Sequence, residues 1–243
     1  MKATSNCVDT EPRRLPKSKA DLDCDIDTHR VNVDPKNDPS GKAPRLRWKA
    51  GDRVERTMTV SGEVELEQMI GTLTSIETVT ASNSRDFTVK SVTSGKMTVG
   101  GIEVDVPSSE QTQRLLLNGA LAEVLGIGDE IEPTMFAFVV LPDRPFSDGL
   151  KWNYLLQKSI SNGPYDLNHD FVAQAKETKD GYICYRVTAT FREVGGIGTG
   201  RGTFWISLDD FDSVRAECTF SNYTVSEDVI MNSLKITMTR KKR

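Results

Sequence analysis

The chain has 243 residues with 37% hydrophobic and 7% aromatic content, enough core for one large domain or two small ones. Its net charge of -4 and pI near 5.4 exclude an overall positive field for nucleic acid, and the basic end Arg240–Arg243 is too short to change that. No apolar run approaches the roughly 20 residues of a transmembrane helix, and none follows Met1 as a signal peptide requires.

Residues 1–45 lack hydrophobic periodicity and are rich in Pro, Asp, Lys and Ser, which predicts a polar linker, disordered or draped on the surface. Within it Asp21, Asp23, Asp25 and Asp27 alternate as at the start of a calcium loop. An EF-hand needs Gly at its sixth position and Glu at its twelfth. Counting from Asp21 gives Ile26 and Asn32, and counting from Asp23 gives Thr28 and Asp34. Neither register fits, so no metal is expected.

From residue 46 onward the pattern is β. Val54, Met58, Val60, Val64 and Leu66 alternate with polar residues, and Met69–Ala81 is rich in Thr, Ile and Val. Phe87–Val92 and Lys96–Val106 follow, with breaks expected at Ser94-Gly95 and Gly100-Gly101. Asn118-Gly119 inside Gln113–Leu125 reads as a hairpin turn, since that pair in a helix interior costs on the order of 1 kcal/mol. Thr134–Leu141, between Pro133 and Pro142, is the most apolar run and reads as a short buried helix. Leu150, Trp152, Tyr154, Leu156 and Ile160 alternate, and a further strand begins near Phe171.

Tyr182–Phe220 is a three-strand meander. Ile183, Tyr185, Val187, Ala189 and Phe191 share one face, Phe204, Ile206 and Leu208 the next, and Val214, Ala216, Cys218 and Phe220 the third. The loop glycines from Gly195 to Gly202 lack the spacing of a phosphate-binding fingerprint, and a strand follows them, so they predict a turn. Asp209, Asp210 and Asp212 supply the next turn. Tyr223–Val225 and Leu234, Ile236 and Met238 complete the sheet. By parity Cys184 and Cys218 lie on opposite faces, which excludes a disulfide between them. Cys218 reads as a core residue and Cys184 as a thiol on the polar face. Cys7 and Cys24 are free to pair in the linker, though nothing forces it.

An offset of 95 residues sets Val99-Gly100-Gly101-Ile102 against Val194-Gly195-Gly196-Ile197, and Gly51 and Gly149 each open a strand. This echo predicts two pseudo-repeats, about residues 48–145 and 146–243, in a single β domain over residues 46–243. The expected fold is all-β with minor α: a large curved antiparallel sheet, half-barrel or sandwich, with one or two short helices.

Three segments carry a resemblance: Gly51-Asp52-Arg53, Leu141-Pro142-Asp143-Arg144-Pro145 ahead of Asp148–Trp152, and Gly200–Asp209. Over about residues 48–243 the chain resembles a family of bacterial envelope β domains of unknown function. Its plan is similar to the LolA/LppX group of lipoprotein carriers, in which a curved sheet covers an apolar hollow closed by short helices. The resemblance implies an exported, often lipid-anchored protein outside the cytoplasm and supplies no site residues. Cys7 lacks the apolar residues of a lipobox before it.

Neither His29 nor His169, the latter read as a loop residue, has the spacing of a catalytic or metal site. The reading therefore expects no enzyme and no cofactor. It expects a carrier of a lipid or apolar small molecule, its hollow lined by Phe136, Phe138, Trp152, Phe191 and Phe204 with Thr134–Leu141 as lid. The alternative is a module binding another envelope protein.

Overall fold

The computed structural model describes residues 42–64, 66–125, 139–158, 164–226 and 229–241. Among them there is no helix. Eleven strands form one curved antiparallel sheet: β1 (Arg53–Val64), β2 (Glu67–Ser82), β3 (Asp86–Val99), β4 (Ile102–Leu116), β5 (Leu121–Leu125), β6 (Lys151–Leu156), β7 (Asp166–Lys179), β8 (Tyr182–Val194), β9 (Thr199–Ser207), β10 (Ser213–Ser226) and β11 (Val229–Arg240). The spatial order is β5-β4-β3-β2-β1-β11-β10-β9-β8-β7-β6. Every connection between spatial neighbours is a hairpin except β1 to β11, which joins the two halves of the chain at the centre of the sheet. The sheet does not close: β5 and β6 are its two edges.

Alternation fixes one inner face. Across the strands Ala173, Val187, Phe204, Ala216, Met238, Met58 and Leu73 stand in register, and all are buried. A neighbouring row holds Trp152, Phe171, Ala189, Gly202, Cys218, Ile236 and Val60. Large and small side chains thus interdigitate, as close packing requires. Gly200 and Gly202 are small for that reason. A Cβ on Gly200 would lie 2.6 Å from the Phe220 ring, and one on Gly202 3.0 Å from the Cys218 sulfur. The glycine loop is therefore a turn followed by two packing positions.

Several local expectations change. Ser94-Gly95 does not end a strand; β3 runs through it with a shift in register against β4, a bulge that bends the strand without breaking it. Leu66 sits at φ 72 in the β1–β2 turn and is 85% exposed, so it leaves the apolar face of β1. Asn118-Gly119 forms the hairpin turn, with Gly119 at φ 83 and the Asn118 side chain accepting from the Ala120 amide at 3.1 Å. Of the expected helix, Thr134–Phe138 lie outside the described residues, and Val139–Leu141 form no helix. Their polar groups turn to distant partners instead: the Leu141 amide donates to Asn118 O at 2.7 Å, and Val140 O accepts from Trp152 Nε1 at 2.7 Å. Lys42–Trp48, which begins within the stretch read as linker, packs on the sheet: Pro44 and Trp48 are buried, and the Leu46 amide bonds Leu117 O.

Cys184 is fully buried and not on a solvated face, because Trp205 and Val214 cover it on the outer side of the sheet. Burial pushes its thiol up to about 11 and that of Cys218 further still, so neither is a thiolate near neutrality. Both are free. The strand openings at Gly51 and Gly149 are built alike: each glycine has positive φ, and its amide bonds a carbonyl on the next strand, Val79 O and Ala173 O respectively. Farther along, the halves differ, since β4 is exposed over much of Ile102–Glu110 whereas β9 is largely buried.

Candidate functional site

The predicted lining residues divide. Phe136 and Phe138 lie outside the described residues. Trp152, Phe191 and Phe204 are buried, each packed against rings of neighbouring strands. Trp152 stacks on Phe171 with centroids 5.2 Å apart, and Phe191 on Phe220 at 5.0 Å. Phe204 stands edge-on to both Phe171 and Phe191 at 6.4 Å.

The inner side does keep a small, partly open space, at the seam where the two unpaired edges approach. It measures about 40 Å³ and lies among Gln113, Leu115, Gly119 and Leu121 from the β4–β5 side and Tyr154, Leu156 and His169 from the β6–β7 side, with Val140 between. The strap Val139–Pro142 spans the seam. It holds the β4–β5 turn through Leu141, β6 through Val140, and the Lys42–Trp48 lead-in through Arg45, whose Nη1 donates to Pro142 O at 3.3 Å.

His169 is the unusual group there. It stands mid-strand in β7, facing Tyr154 and Phe191 across the ladder, at an inner position between Leu167 and Phe171. It is 3% exposed, and among the described residues neither ring nitrogen has a hydrogen-bond partner. Rings crowd it edge-on: Phe191 at 5.0 Å, Phe171 at 5.8 Å and Tyr154 at 6.0 Å. Burial pushes its pKa down to about 3, so the imidazole is neutral at physiological pH, and burial likewise raises the Tyr154 hydroxyl to about 12. A neutral imidazole offers one donor and one acceptor. Both are unused.

No family model and no curated protein matches the chain. Among solved structures it is similar to a Bacteroides fragilis protein described as exported with a YmcC-like fold, at TM-score 0.36 and 10% identity over 83% of this chain and 100% of that one. A DUF1329 family protein from Desulfovibrio piger matches at TM-score 0.26 and 10% identity over 81% and 85% of the two chains. A Vibrio parahaemolyticus domain described as an outer membrane lipoprotein-sorting protein domain matches at 0.24 and 7% over 78% and 83%. Such low identities and TM-scores transfer neither a function nor a site.

A second buried polar cluster lies outside the seam. Arg56 is 1% exposed on the inner face of β1. Its Nε meets Glu77 at 2.9 Å, its Nη2 meets Asp212 at 2.8 Å, and its Nη1 donates to Ser213 O at 2.8 Å. Arg240, its cross-strand neighbour, bonds Asp212 at 3.0 Å and Asp210 at 2.8 Å. Burial alone lowers the Arg56 pKa, but Asp212 and Glu77 outweigh it and hold it well above the usual range. Asp212 is thus more than a turn residue: it ties the β9–β10 turn to the centre of the sheet. The cluster is fully engaged with itself and holds structure. Among the described residues no group of three His, Cys, Asp or Glu is placed to hold a metal ion.

Proposed function

We propose that this is a non-catalytic binding domain taking a neutral amphiphile, an apolar chain with a hydroxyl-type end, at the seam, with the polar end on His169. The observation that carries the reading is the unbonded, buried imidazole facing an otherwise mostly apolar cavity. Leaving a buried polar group without a partner costs about 1–3 kcal/mol. A ligand hydroxyl both donates and accepts, and would satisfy the imidazole nitrogens that the protein leaves free. An ionised end group fits poorly, because no cation lines the cavity to offset the cost of its burial.

The cavity itself holds little more than water, so the chain of the amphiphile must take the place of the strap. Lifting Val139, Val140 and Leu141 exposes three apolar side chains at about 1.5–3 kcal/mol each, whereas each buried CH₂ of a ligand returns about 0.8 kcal/mol. A chain of about six to eleven carbons therefore balances the opening, and a dodecyl chain meets even the upper figure. Catalysis is no part of the proposal: none of Arg56, Glu77, Asp212 and Arg240 lines the cavity, and among the described residues no carboxylate there stands ready to activate His169. A location outside the cytoplasm belongs to the same proposal and is supported by the sequence resemblance.

The test is native mass spectrometry of gently purified protein, together with displacement of a fluorescent alkyl probe by dodecanol, dodecanoate and dodecyltrimethylammonium. Dodecanol should compete best, and His169→Leu should weaken it about tenfold, the loss of one or two hydrogen bonds. Equal competition by all three, or none by dodecanol, would sink the reading. Absence of any amphiphile binding would favour the protein-partner alternative, which the exposed inner-face Ile102 (70%) and Val104 (50%) at the β3–β4 hairpin support.

A further inference from the structure

The outer face of the sheet carries a groove of about 620 Å³ crossing β8, β9, β10, β11 and β1. Its chemistry is unlike that of the seam. At one level Thr190, Arg201, Thr219, Lys235 and Ser61 stand in register on five successive strands. Thr199, Ser221 and Ser233 form the next level. Among the described residues the lining therefore presents a ladder of hydroxyls with two cations and no carboxylate or outward-facing aromatic ring. Glu63 lies beyond the lining and is occupied by Gln68 and Asn232, each at 3.2 Å.

Arg201 and Lys235 are exposed and make no ion pair among the described residues. Most other outer-face cations are engaged, as with Lys90 on Glu110 and Lys96 on Glu103. One strand, β10, lies between the pair, which sets them two interstrand spacings or about 10 Å apart, with Thr219 between them. On a chain of net charge -4 this is a local positive site with built-in hydroxyl partners.

We propose that this groove binds a soluble anionic glycan, with Arg201 and Lys235 on successive acidic groups and the Thr and Ser hydroxyls on the sugar hydroxyls between. Charge complementarity selects the anion, and the hydroxyl ladder selects a polyhydroxylated body. The one ring in the lining, Phe220, is stacked inward on Phe191, which leaves no aromatic platform among the described lining residues for the bases of a nucleic acid. The site is independent of the seam.

Oligogalacturonate and a maltodextrin of equal length, titrated calorimetrically at two ionic strengths, test the proposal. Oligogalacturonate should bind saturably and maltodextrin should not. The double variant Arg201→Ala, Lys235→Ala should weaken binding at least about tenfold, since two charge-assisted bonds are lost. Thr219→Val keeps the β-branched shape and should still weaken it about threefold, whereas Lys151→Ala, on the edge strand β6 outside the groove, should leave it unchanged. An equal loss in Lys151→Ala would mean diffuse attraction and overturn the site, as would failure of oligogalacturonate to saturate. Vesicles of phosphatidylglycerol should not compete; competition that depends on Arg201 and Lys235 would overturn the glycan in favour of a lipid headgroup.

Discussion

Replacing Arg56 with Met is expected to lower the stability of the domain by about 3–5 kcal/mol, read as a fall in the midpoint of urea unfolding with little change in slope. The methionine fills most of the volume, but Glu77 and Asp212 remain buried at 4% and 2% exposure and lose the guanidinium between them. Arg56→Lys should recover little, because one ammonium cannot serve Glu77, Asp212 and the Ser213 carbonyl in the fork geometry seen here. The exposed pair Lys241–Glu55 gives the contrast. Lys241→Ala should change stability by less than about 1 kcal/mol, as surface ion pairs usually do. An Arg56→Met variant as stable as the parent would mean that the cluster relaxes or hydrates without cost, and its role as the central tie would fall.

Acid should destabilise the parent protein more steeply than His169→Leu. An unfolded histidine takes up a proton near pH 6.5, while the folded His169 does so only near about 3. Between those values the unfolded chain binds the extra proton, so falling pH favours unfolding. The contribution is full above about pH 6.5 and is lost at about 1.4 kcal/mol per pH unit as pH falls toward the folded value. At pH 4 the parent should have lost about 3 kcal/mol more than the leucine variant. At pH 7 the variant should match or exceed the parent, since leucine fills the site without an unbonded polar atom. Parallel stability curves for the two proteins across this range would contradict a buried neutral imidazole.

The strands were legible because alternation reports burial residue by residue. Val54, Met58 and Val60, or Val187, Ala189 and Phe191, need no long-range information to be placed on one face. The meeting of β1 with β11 was not legible, because nothing in Val60 or Ile236 encodes a partner about 175 residues away. The candidate sites were missed for a shared reason. Arg56 and His169 occupy apolar positions in otherwise apolar alternations, Val54–Arg56–Met58 and Leu167–His169–Phe171. A polar residue at such a position is the signal that could have found them, and setting it aside as a break in the pattern hid it. The aromatic residues chosen as cavity lining were, in turn, chosen for size. Size equally suits a dry core, and Phe191 and Phe204 fill one.

The most direct measurement is the ¹⁵N NMR spectrum of the His169 imidazole, assigned by comparison with His169→Leu, as dodecanol is added to saturation. The account predicts a neutral, unbonded ring in the free protein and a shift of one or both ring nitrogens to hydrogen-bonded values in step with probe displacement. Displacement without any change at His169, or ring nitrogens already hydrogen-bonded before ligand is added, would contradict it.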